Sequence, residues 1–189
     1  MSPEEEKDLV KKAKIDSEAF GRLYDEYYSK IIGYVLKRTG NLEIAQDVVS
    51  ETFLKALKNI KKFQWQSFFG KKPLFGAWLY RIASNEIANF FRHKKPAISL
   101  GSAPDPVFGK DLFGEIVVAE QKLKDCQDFL LIQKEILGLP EKYQEVLVLR
   151  FFEKKQIKEI AEILGKREGT IKSLIHRGLK KLRQKMPPI

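Results

Sequence analysis

The stretch that decides the fold is QIKEIAEILGKREGTIKSLIHRGLKKLR, residues 156–183. It contains two runs of apolar residues at helical spacing, separated by a turn at Gly165. The apolar positions are Ile157, Ile160, Ala161 and Leu164, followed by Ile171, Leu174, Ile175, Leu179 and Leu182. Two amphipathic helices joined across a glycine-containing turn predict a helix-turn-helix, whose second helix places its N-terminal part in the major groove of DNA.

The charge of this stretch separates two interpretations of it. An ordinary solvated helix pair usually mixes charges of both signs on its outer face. Between residues 165 and 185, however, Glu168 is the only acidic side chain among many lysines and arginines. One-sided positive charge suits the neutralisation of phosphates, so the sequence favours a nucleic-acid reader over a plain helical hairpin.

The composition of the whole chain also favours a protein that binds nucleic acid. The chain has 189 residues, 43% of them hydrophobic, which is compatible with one domain or two small ones. Its formal net charge is +10, which favours a polyanionic partner, nucleic acid first and an acidic membrane surface second.

The chain has a single cysteine, Cys126, which excludes an internal disulfide framework. The segment MSPEEEKD at residues 1–8 is acidic and lacks the apolar core of a signal peptide. No apolar run approaches the roughly 20 residues that a membrane-spanning helix needs. We therefore expect a soluble, cytoplasmic protein.

Three helices are predicted in the first third of the chain. The first begins at Ser2 and ends near Lys14, and the second is capped by Asp16 or Ser17 and stopped by Gly40. The apolar stripe of the second helix is Phe20, Leu23, Tyr24, Tyr27, Ile31 and Val35. Asn41 caps the third, whose buried side is Ile44, Ala45, Val48, Val49, Thr52, Phe53, Ala56 and Leu57. Its other face, with Asp47, Ser50, Glu51 and Lys55, is left available for a partner.

Residues 59–73 break the helical period and predict a loop in which aromatic residues lie among lysines. These residues are Phe63, Trp65, Phe68 and Phe69, with Lys61, Lys62, Lys71 and Lys72. Base stacking on aromatic side chains contributes roughly 1–3 kcal/mol per base, and lysines would follow the phosphate backbone. The loop therefore suits unpaired bases, with packing of the aromatics onto the core as the alternative.

The rest of the chain predicts a second helical domain after a linker. A helix over residues 74–95 has a basic end and is terminated by Pro96, and residues 97–114 have no period. A long helix over 115–137 follows, and Leu139-Pro140-Glu141 opens another. The helix-turn-helix is predicted to pack on the apolar residues of this helix, which are Val146, Leu147, Leu149, Phe151 and Phe152. We predict an all-α protein with domains at 1–95 and 115–189, joined by a flexible linker at 96–114.

The residues offer little for catalysis. The two histidines, His93 and His176, lie in different predicted domains without metal-type partners at helical spacing. Glu159 and Glu162 lie among lysines on an exposed face, where solvated charge is a better interpretation than an acid/base pair. No nucleophile turn is present. We predict no catalytic residues, no metal site and no cofactor.

Two blocks of the sequence resemble the extracytoplasmic-function (ECF) sigma factors of bacterial RNA polymerase. AFGRLYDEYY, AQDVVSETFLKAL and FGAWLYRIASNEIANFFRHKK, within residues 19–95, are similar to domain two of that family. LPEKYQEVLVLRFFE and IKEIAEILGKREGTIKSLIHRGLKKLR, within residues 132–183, are similar to domain four. Their order, spacing and intervening linker match as well, so the resemblance covers most of the chain.

The resemblance implies a factor that binds core RNA polymerase and promoter DNA, without catalysis of its own. The polymerase surfaces would be the clamp helices of the largest subunit and the flap of the second-largest subunit, and an anti-sigma factor is a further possible partner. By position, the clamp helices would be met by Asp47, Val48, Glu51, Thr52, Phe53 and Lys55. The minus-10 element would be met by Phe63, Trp65, Lys71, Lys72, Arg81, Asn85 and Arg92. The minus-35 element would be met by Arg167, Thr170, Lys172, Ser173, His176 and Arg177.

Two departures from the family pattern concern the minus-10 contacts. Asn89 stands where the family usually has an acidic residue, and the loop after Phe63 is longer and more aromatic than usual. Two other classes of protein compete with a sigma factor. One is a repressor or activator with the same C-terminal reader, and the other is a nucleic-acid-processing enzyme, which the missing metal and nucleophile sets disfavour.

Overall fold

The computed structural model describes residues 1–64, 75–94 and 131–185. These residues form helices and turns, with no strand among them, which confirms the all-α prediction. The elements are α1 (Pro3–Ala13), α2 (Ser17–Thr39), α3 (Leu42–Asn59), a 3-10 turn (Ile60–Lys62), α4 (Phe75–Lys94), α5 (residues 131–137), α6 (Glu141–Leu147), a π-helical turn (Val148–Phe152), α7 (Ile157–Leu164) and α8 (Glu168–Lys185). The predicted linker and residues 115–130 of the helix predicted over 115–137 lie outside the described residues.

The first three helices begin at the residues that the sequence indicated. Ser2 and Glu5 form a reciprocal pair, in which the Glu5 amide donates to Ser2 Oγ at 3.2 Å and the Ser2 amide donates to the Glu5 carboxylate at 2.7 Å. The Asp16 carboxylate and the Asn41 side-chain oxygen cap α2 and α3, accepting backbone N–H bonds at 2.9 Å in each case.

Two glycines end helices in the left-handed conformation that residues with a Cβ rarely adopt. Gly40 ends α2 with φ of 66°, and Gly165 ends α7 with φ of 61°. The second of these makes the turn of the helix-turn-helix, so the sequence prediction for both glycines is confirmed.

The N-terminal unit, residues 1–64 and 75–94, packs α1 to α4 around one apolar core. Its fully buried side chains include Leu23, Ile31, Val35, Leu79 and Ile87. Aromatic rings extend this core, since Phe63 packs against Phe75 and Trp78 with ring centroids 5.7 and 4.9 Å apart.

The C-terminal unit, residues 131–185, packs α6, α7 and α8 around a smaller core. Its fully buried residues include Leu147, Leu149, Ile160, Ile163 and Ile171. The two units touch, because α4 contacts α7 and α2 contacts the π-helical turn. None of the described helices has both the length and the apolar character to cross a membrane.

Four residues that were assigned to buried stripes are exposed. They are Tyr24, Leu57, Phe151 and Leu179, with relative exposures of 39%, 45%, 51% and 41%. Leu57 and Leu179 follow the buried residues Ala56 and Gly178, so each lies at the edge of its helix's buried stripe. Phe151 lies in the π-helical turn, where the wider helix changes the angular spacing of side chains.

Candidate functional site

The N-terminal half of α8 presents the side chains predicted for the minus-35 element. Thr170, Lys172, His176 and Arg177 are exposed and Ser173 is half-buried, while Ile171 on the opposite side is fully buried. Arg177 donates to Ser173 Oγ from Nε at 3.2 Å and from Nη2 at 2.7 Å. The polar residues therefore share one outward face, whose arginine is held along the helix surface.

The start of α8 is fixed by the turn that precedes it. Gly165 ends α7, and the Lys166 amide donates back to the Ala161 carbonyl at 3.0 Å. Arg167, also in the predicted set, is exposed in this turn and its carbonyl accepts the first amide bonds of α8. The helix N-terminus carries partial positive charge, which suits a phosphate beside the face of α8.

The six residues predicted to meet the polymerase divide into two groups in the structure. Asp47 and Glu51 are exposed, whereas Val48, Thr52 and Phe53 are buried in the core. Lys55 is half-buried. Its Nζ pairs with the Glu86 carboxylate of α4 at 2.6 Å. The three buried residues support α3 from beneath, so they offer no side chain to a partner.

The exposed face of α3 is longer than the sequence indicated. Leu54 and Leu57 have relative exposures of 42% and 45% and continue the face of Asp47 and Glu51 at helical spacing. We call Asp47, Ser50, Glu51, Leu54, Leu57 and Lys58 the α3 face; all six are exposed. Leu57 was predicted to lie on the buried side, as leucine in an amphipathic helix normally does, and Leu54 was assigned to neither face.

A pocket of about 360 Å³ lies where α3, the 3-10 turn and α4 meet. Its lining is part aromatic and part polar: Lys55, Asn59, Lys62, Phe63, Trp78, Ile82, Asn85 and Glu86. Phe63, Trp78 and Ile82 supply its apolar part, and the other five lining residues are polar or charged. Of these residues, Lys62, Phe63 and Asn85 were predicted from the sequence to meet nucleic acid, and the others come together from separate elements.

The residues predicted for the minus-10 element have different surroundings. Phe63 is 5% exposed and packs into the aromatic core, whereas Asn85 and Arg92 are exposed. Arg81 points to the C-terminal unit, donating from Nε to the Ile163 carbonyl at 3.2 Å and from Nη2 to the Glu162 carbonyl. Trp65, Lys71 and Lys72 lie outside the described residues. Asn89, the departure from the family pattern, donates to the Glu86 carboxylate at 3.4 Å.

The first helix holds the beginning of α4, which forms one wall of the pocket. The buried Glu6 carboxylate accepts from the Tyr27 hydroxyl at 2.5 Å and from the Gly76 amide at 3.1 Å. Burial, and then the neighbouring Glu6, raise the pKa of Tyr27. The hydroxyl therefore stays protonated and serves as a hydrogen-bond donor. On the other side of the pocket, Lys14 Nζ donates to the Phe63 carbonyl at 2.8 Å.

Ionisable groups also meet between the two units. The Glu153 carboxylate accepts from Lys37 Nζ at 2.8 Å and from the Tyr80 hydroxyl at 2.7 Å. Burial, and then Glu153, raise the pKa of Tyr80, and burial raises the pKa of the nearby Tyr34 to about 12. Burial also raises the pKa of Glu145, opposed by Arg38. Among the described residues there is no cluster of histidine, cysteine and acidic side chains that could hold a metal ion.

Two family models match the chain in its two units. The model described as "Sigma-70 region 2" matches residues 23–96, and "Sigma-70, region 4" matches residues 129–182. The first match contains α3 and α4, and the second contains α7, the turn and α8 up to residue 182.

Curated relatives extend the similarity over nearly the whole chain. The ECF RNA polymerase sigma factor SigW of Bacillus subtilis is 34% identical over 177 residues, which cover 92% of this chain and 91% of SigW. The ECF RNA polymerase sigma factor BldN of Streptomyces coelicolor is 32% identical over 188 residues, covering 95% of this chain and 65% of BldN.

Solved structures show the same fold at lower identity. CnrH, in complex with the cytosolic domain of CnrY, superimposes with a TM-score of 0.66 at 19% identity, over 95% of both chains. The sigma factor RpoE from Bartonella quintana, in complex with the anti-sigma factor NepR, gives a TM-score of 0.62 at 19% identity, over 87% of this chain and 94% of that one.

These similarities define a class first and a family within it. The two sigma-70 regions make the protein a sigma-70 type transcription factor with its reader helix in region 4. The chain belongs to the ECF family of RNA polymerase sigma factors. It acts with core RNA polymerase and directs transcription initiation at promoter DNA, and a repressor or activator acting without the polymerase is not favoured.

Proposed function

We propose that this sigma factor binds its partners through three separate surfaces. The α3 face docks on core polymerase, the exposed face of α8 grips the minus-35 element, and the pocket between α3 and α4 receives an unpaired base of the minus-10 element. The observation that carries this division is the outward placement, in one chain, of both the α3 face and the polar side of α8.

The α3 face supports docking through its chemistry. It combines the carboxylates of Asp47 and Glu51 with the exposed leucines 54 and 57, so a partner could bury apolar area while its cations meet the acids. Burial of apolar surface contributes about 25 cal/mol per Å², and charges around it mainly set specificity and the rate of association. The factor adds no catalysis in this proposal and works in the cytoplasm with the polymerase.

The pocket supports base capture through its mixed lining. Trp78 offers a half-buried aromatic surface, and Asn85 of α4 and Lys62 of the 3-10 turn are exposed polar groups that line the pocket. Unstacking a base costs a few kcal/mol, and stacking on an aromatic side chain returns about 1–3 kcal/mol. Because Phe63 is buried against Phe75 and Trp78, it forms the floor of this pocket in the proposal instead of a stacking surface.

Replacement of Lys62 and Asn85 with alanine tests the pocket. Polymerase carrying the double variant should still form a closed complex through α8, yet show less permanganate-reactive thymine on duplex promoter DNA. On a template with a pre-melted bubble the defect should shrink, because the cost of unpairing has already been met. Lys12→Ala, an exposed lysine of α1 outside both the pocket and the α3 face, is the matched control.

Equal permanganate reactivity for the parent and the double variant on duplex DNA would exclude the pocket as the capture site. A defect of the same size on the bubble template would instead place the two side chains in a later step than unpairing.

The structural relatives motivate one further partner. CnrH and the Bartonella RpoE were solved with CnrY and with the anti-sigma factor NepR, respectively. We infer that a protein of the anti-sigma kind could regulate this chain as well. Co-purification of the tagged chain from its own host, followed by mass spectrometry, would identify such a partner.

A further inference from the structure

The first helix lies outside the matched sigma-70 region 2, yet it contacts the helix that carries one side of the base pocket. The region 2 match begins at residue 23, whereas α1 ends at Ala13. The helix packs against both α2 and α4. Its buried side consists of Glu6, Leu9, Val10 and Ala13. A carboxylate therefore occupies a place in α1 where an apolar side chain is normally found.

The buried Glu6 carboxylate fixes the start of α4. One of its oxygens, Oε1, accepts from the Gly76 amide at 3.1 Å and from the Tyr27 hydroxyl at 2.5 Å. Gly76 is the second residue of α4, and the first four amides of a helix have no partner within that helix. A negative charge at this end also suits the helix dipole. Glu6 therefore holds the backbone of α4 at a defined point from a separate helix.

The same point of α4 is in close contact with α2. A Cβ at Gly76 would lie only 2.8 Å from the Tyr27 ring, so the absence of a side chain permits this close approach. The Tyr27 ring also packs against Phe75, with ring centroids 5.7 Å apart. Trp78, which lines the pocket, lies in the same first turn of α4. The position of its ring therefore depends on the contacts that Gly76 makes.

Lys14, at the other end of α1, holds a second residue of the pocket. Its Nζ donates to the Phe63 carbonyl at 2.8 Å, and the Phe63 ring packs against Trp78 with centroids 4.9 Å apart. We call Glu6 and Lys14 the α1 anchors. They are separated by about 12 Å along the helix axis, from a rise of 1.5 Å per residue. Because a helix is stiff, α1 sets the distance between the two points that it holds.

The chemistry of Glu6 indicates that it does more than stabilise the fold. Burying a carboxylate costs free energy that an apolar side chain of similar size would not cost. What the carboxylate adds is a pair of directional hydrogen bonds, which fix distances that apolar contacts leave variable. A leucine at this position would fill similar space but could not accept from the Gly76 amide.

We propose that α1 positions the two aromatic residues of the base pocket relative to each other. Glu6 fixes the turn of α4 that carries Trp78, and Lys14 fixes Phe63, the floor of the pocket. Both anchors are positioning residues, since neither of them lines the pocket. The proposal rests on the assignment of this pocket to the minus-10 element. It makes α1 necessary for promoter opening, although α1 lies outside the region 2 match.

The size of the effect follows from the fraction of molecules whose pocket has the correct spacing. A preformed site avoids the cost of being ordered when the ligand binds. If loss of one anchor leaves about one tenth of the molecules with a competent pocket, the apparent affinity for an unpaired base falls about tenfold. Binding of minus-35 DNA by α8 should not change.

Lys14→Met and Glu6→Leu each remove one anchor. Polymerase carrying either variant should form closed complexes at the parent level, yet show about tenfold less permanganate-reactive thymine on duplex promoter DNA. Lys14→Arg keeps a donor and Glu6→Gln keeps Oε1 as an acceptor, so both should stay within about twofold of the parent. Lys11→Met, which removes an exposed lysine of the same helix, is the matched control for charge.

A second measurement separates positioning through the pocket from a general loss of stability. In the background of Lys62→Ala with Asn85→Ala the pocket is already impaired. There Lys14→Met should add less than about a twofold loss, because residues that act through one site are not additive. Urea unfolding shows whether each variant keeps its fold. If Glu6→Leu does not, the half-buried Lys14 decides the test.

The outcomes distinguish this role of α1 from the pocket function on which it rests. Parent-level opening by either folded anchor variant, with a defect in the pocket double variant, would overturn the role of α1 and leave the pocket assignment standing. A further tenfold loss in the double-variant background would also overturn it, because Lys14 would then act elsewhere. If the double variant opens the promoter as well as the parent does, the pocket assignment fails and the role of α1 fails with it.

Discussion

The outer face of α8 and the residues Phe63 and Arg81, which are all predicted to meet promoter DNA, differ in how far their side chains are exposed. On α8, the side chains of Lys172, His176 and Arg177 are exposed over a fully buried Ile171. On the N-terminal unit, Phe63 is 5% exposed in the core and Arg81 is bonded to the end of α7. Both sets of residues were predicted for DNA by the same resemblance. The α8 set faces outward, whereas the minus-10 set is divided between these two engaged side chains and the exposed Asn85 and Arg92.

The difference shows how the same residue type acquires different roles. A charged side chain on the outer face of a single helix keeps the role that its sequence pattern indicates. A side chain near the junction of several helices contacts the nearest group of a neighbouring helix. Here that group is an aromatic core in one case and a set of helix carbonyls in the other. The two regions should therefore respond differently to the same substitution.

The largest expected contrast is in stability. Phe63→Ala should lower the free energy of unfolding by about 3–5 kcal/mol, because it removes a buried ring and leaves a cavity beside Phe75 and Trp78. His176→Ala, on the exposed face of α8, should change it by less than about 0.5 kcal/mol. Urea unfolding of both variants, followed by circular dichroism, gives the two values.

A loss of under 1 kcal/mol for Phe63→Ala would show that the ring is not part of the core and would return it to the DNA-stacking role.

Single alanine substitutions on α8 should have a smaller effect, on the affinity for DNA. The measurement should also show whether the lost contact was to a base or to a phosphate. Loss of a bidentate base contact costs about 1–3 kcal/mol and relaxes specificity at one position, whereas loss of a phosphate contact lowers the salt slope by about one unit. Lys172→Ala and Arg177→Ala should each show one of these two signatures on minus-35 DNA, measured across a series of salt concentrations.

Lys158→Ala, an exposed lysine of α7, serves as the control for charge alone. If a variant of α8 has unchanged specificity and an unchanged salt slope, the substituted residue does not contact minus-35 DNA.

The sequence was sufficient for the features that depend on local chemistry. The caps at Ser2, Asp16 and Asn41 and the stops at Gly40 and Gly165 follow from hydrogen bonding and backbone freedom within a few residues. The outward side of α8 follows from helical period, because one flank of that helix packs and the other does not.

Features that depend on how distant helices pack together could not be predicted from the sequence. Leu57 was assigned to the core, since helical period does not show where a neighbouring helix stops covering the surface. The pocket joins residues from three elements, and the bond from Arg81 to α7 joins positions 82 residues apart. Such contacts arise from the packing of helices that are distant in sequence, within the N-terminal unit for the pocket and between the two units for Arg81, and no single stretch of sequence encodes them.

The most direct measurement of the central claim is run-off transcription from duplex promoter DNA by core polymerase, with the protein and its variants added in turn. The parent protein should give a transcript that core polymerase alone does not. Asp47→Lys combined with Glu51→Lys should reduce it at least tenfold, about 1.4 kcal/mol in affinity, because cations replace the acids of the α3 face. Glu4→Lys combined with Asp8→Lys, on exposed α1, should leave the transcript near the parent level. An equal transcript from the α3 variant, with its helicity intact, would contradict docking through this face, and DNA binding by the parent without any core-dependent transcript would contradict the function itself.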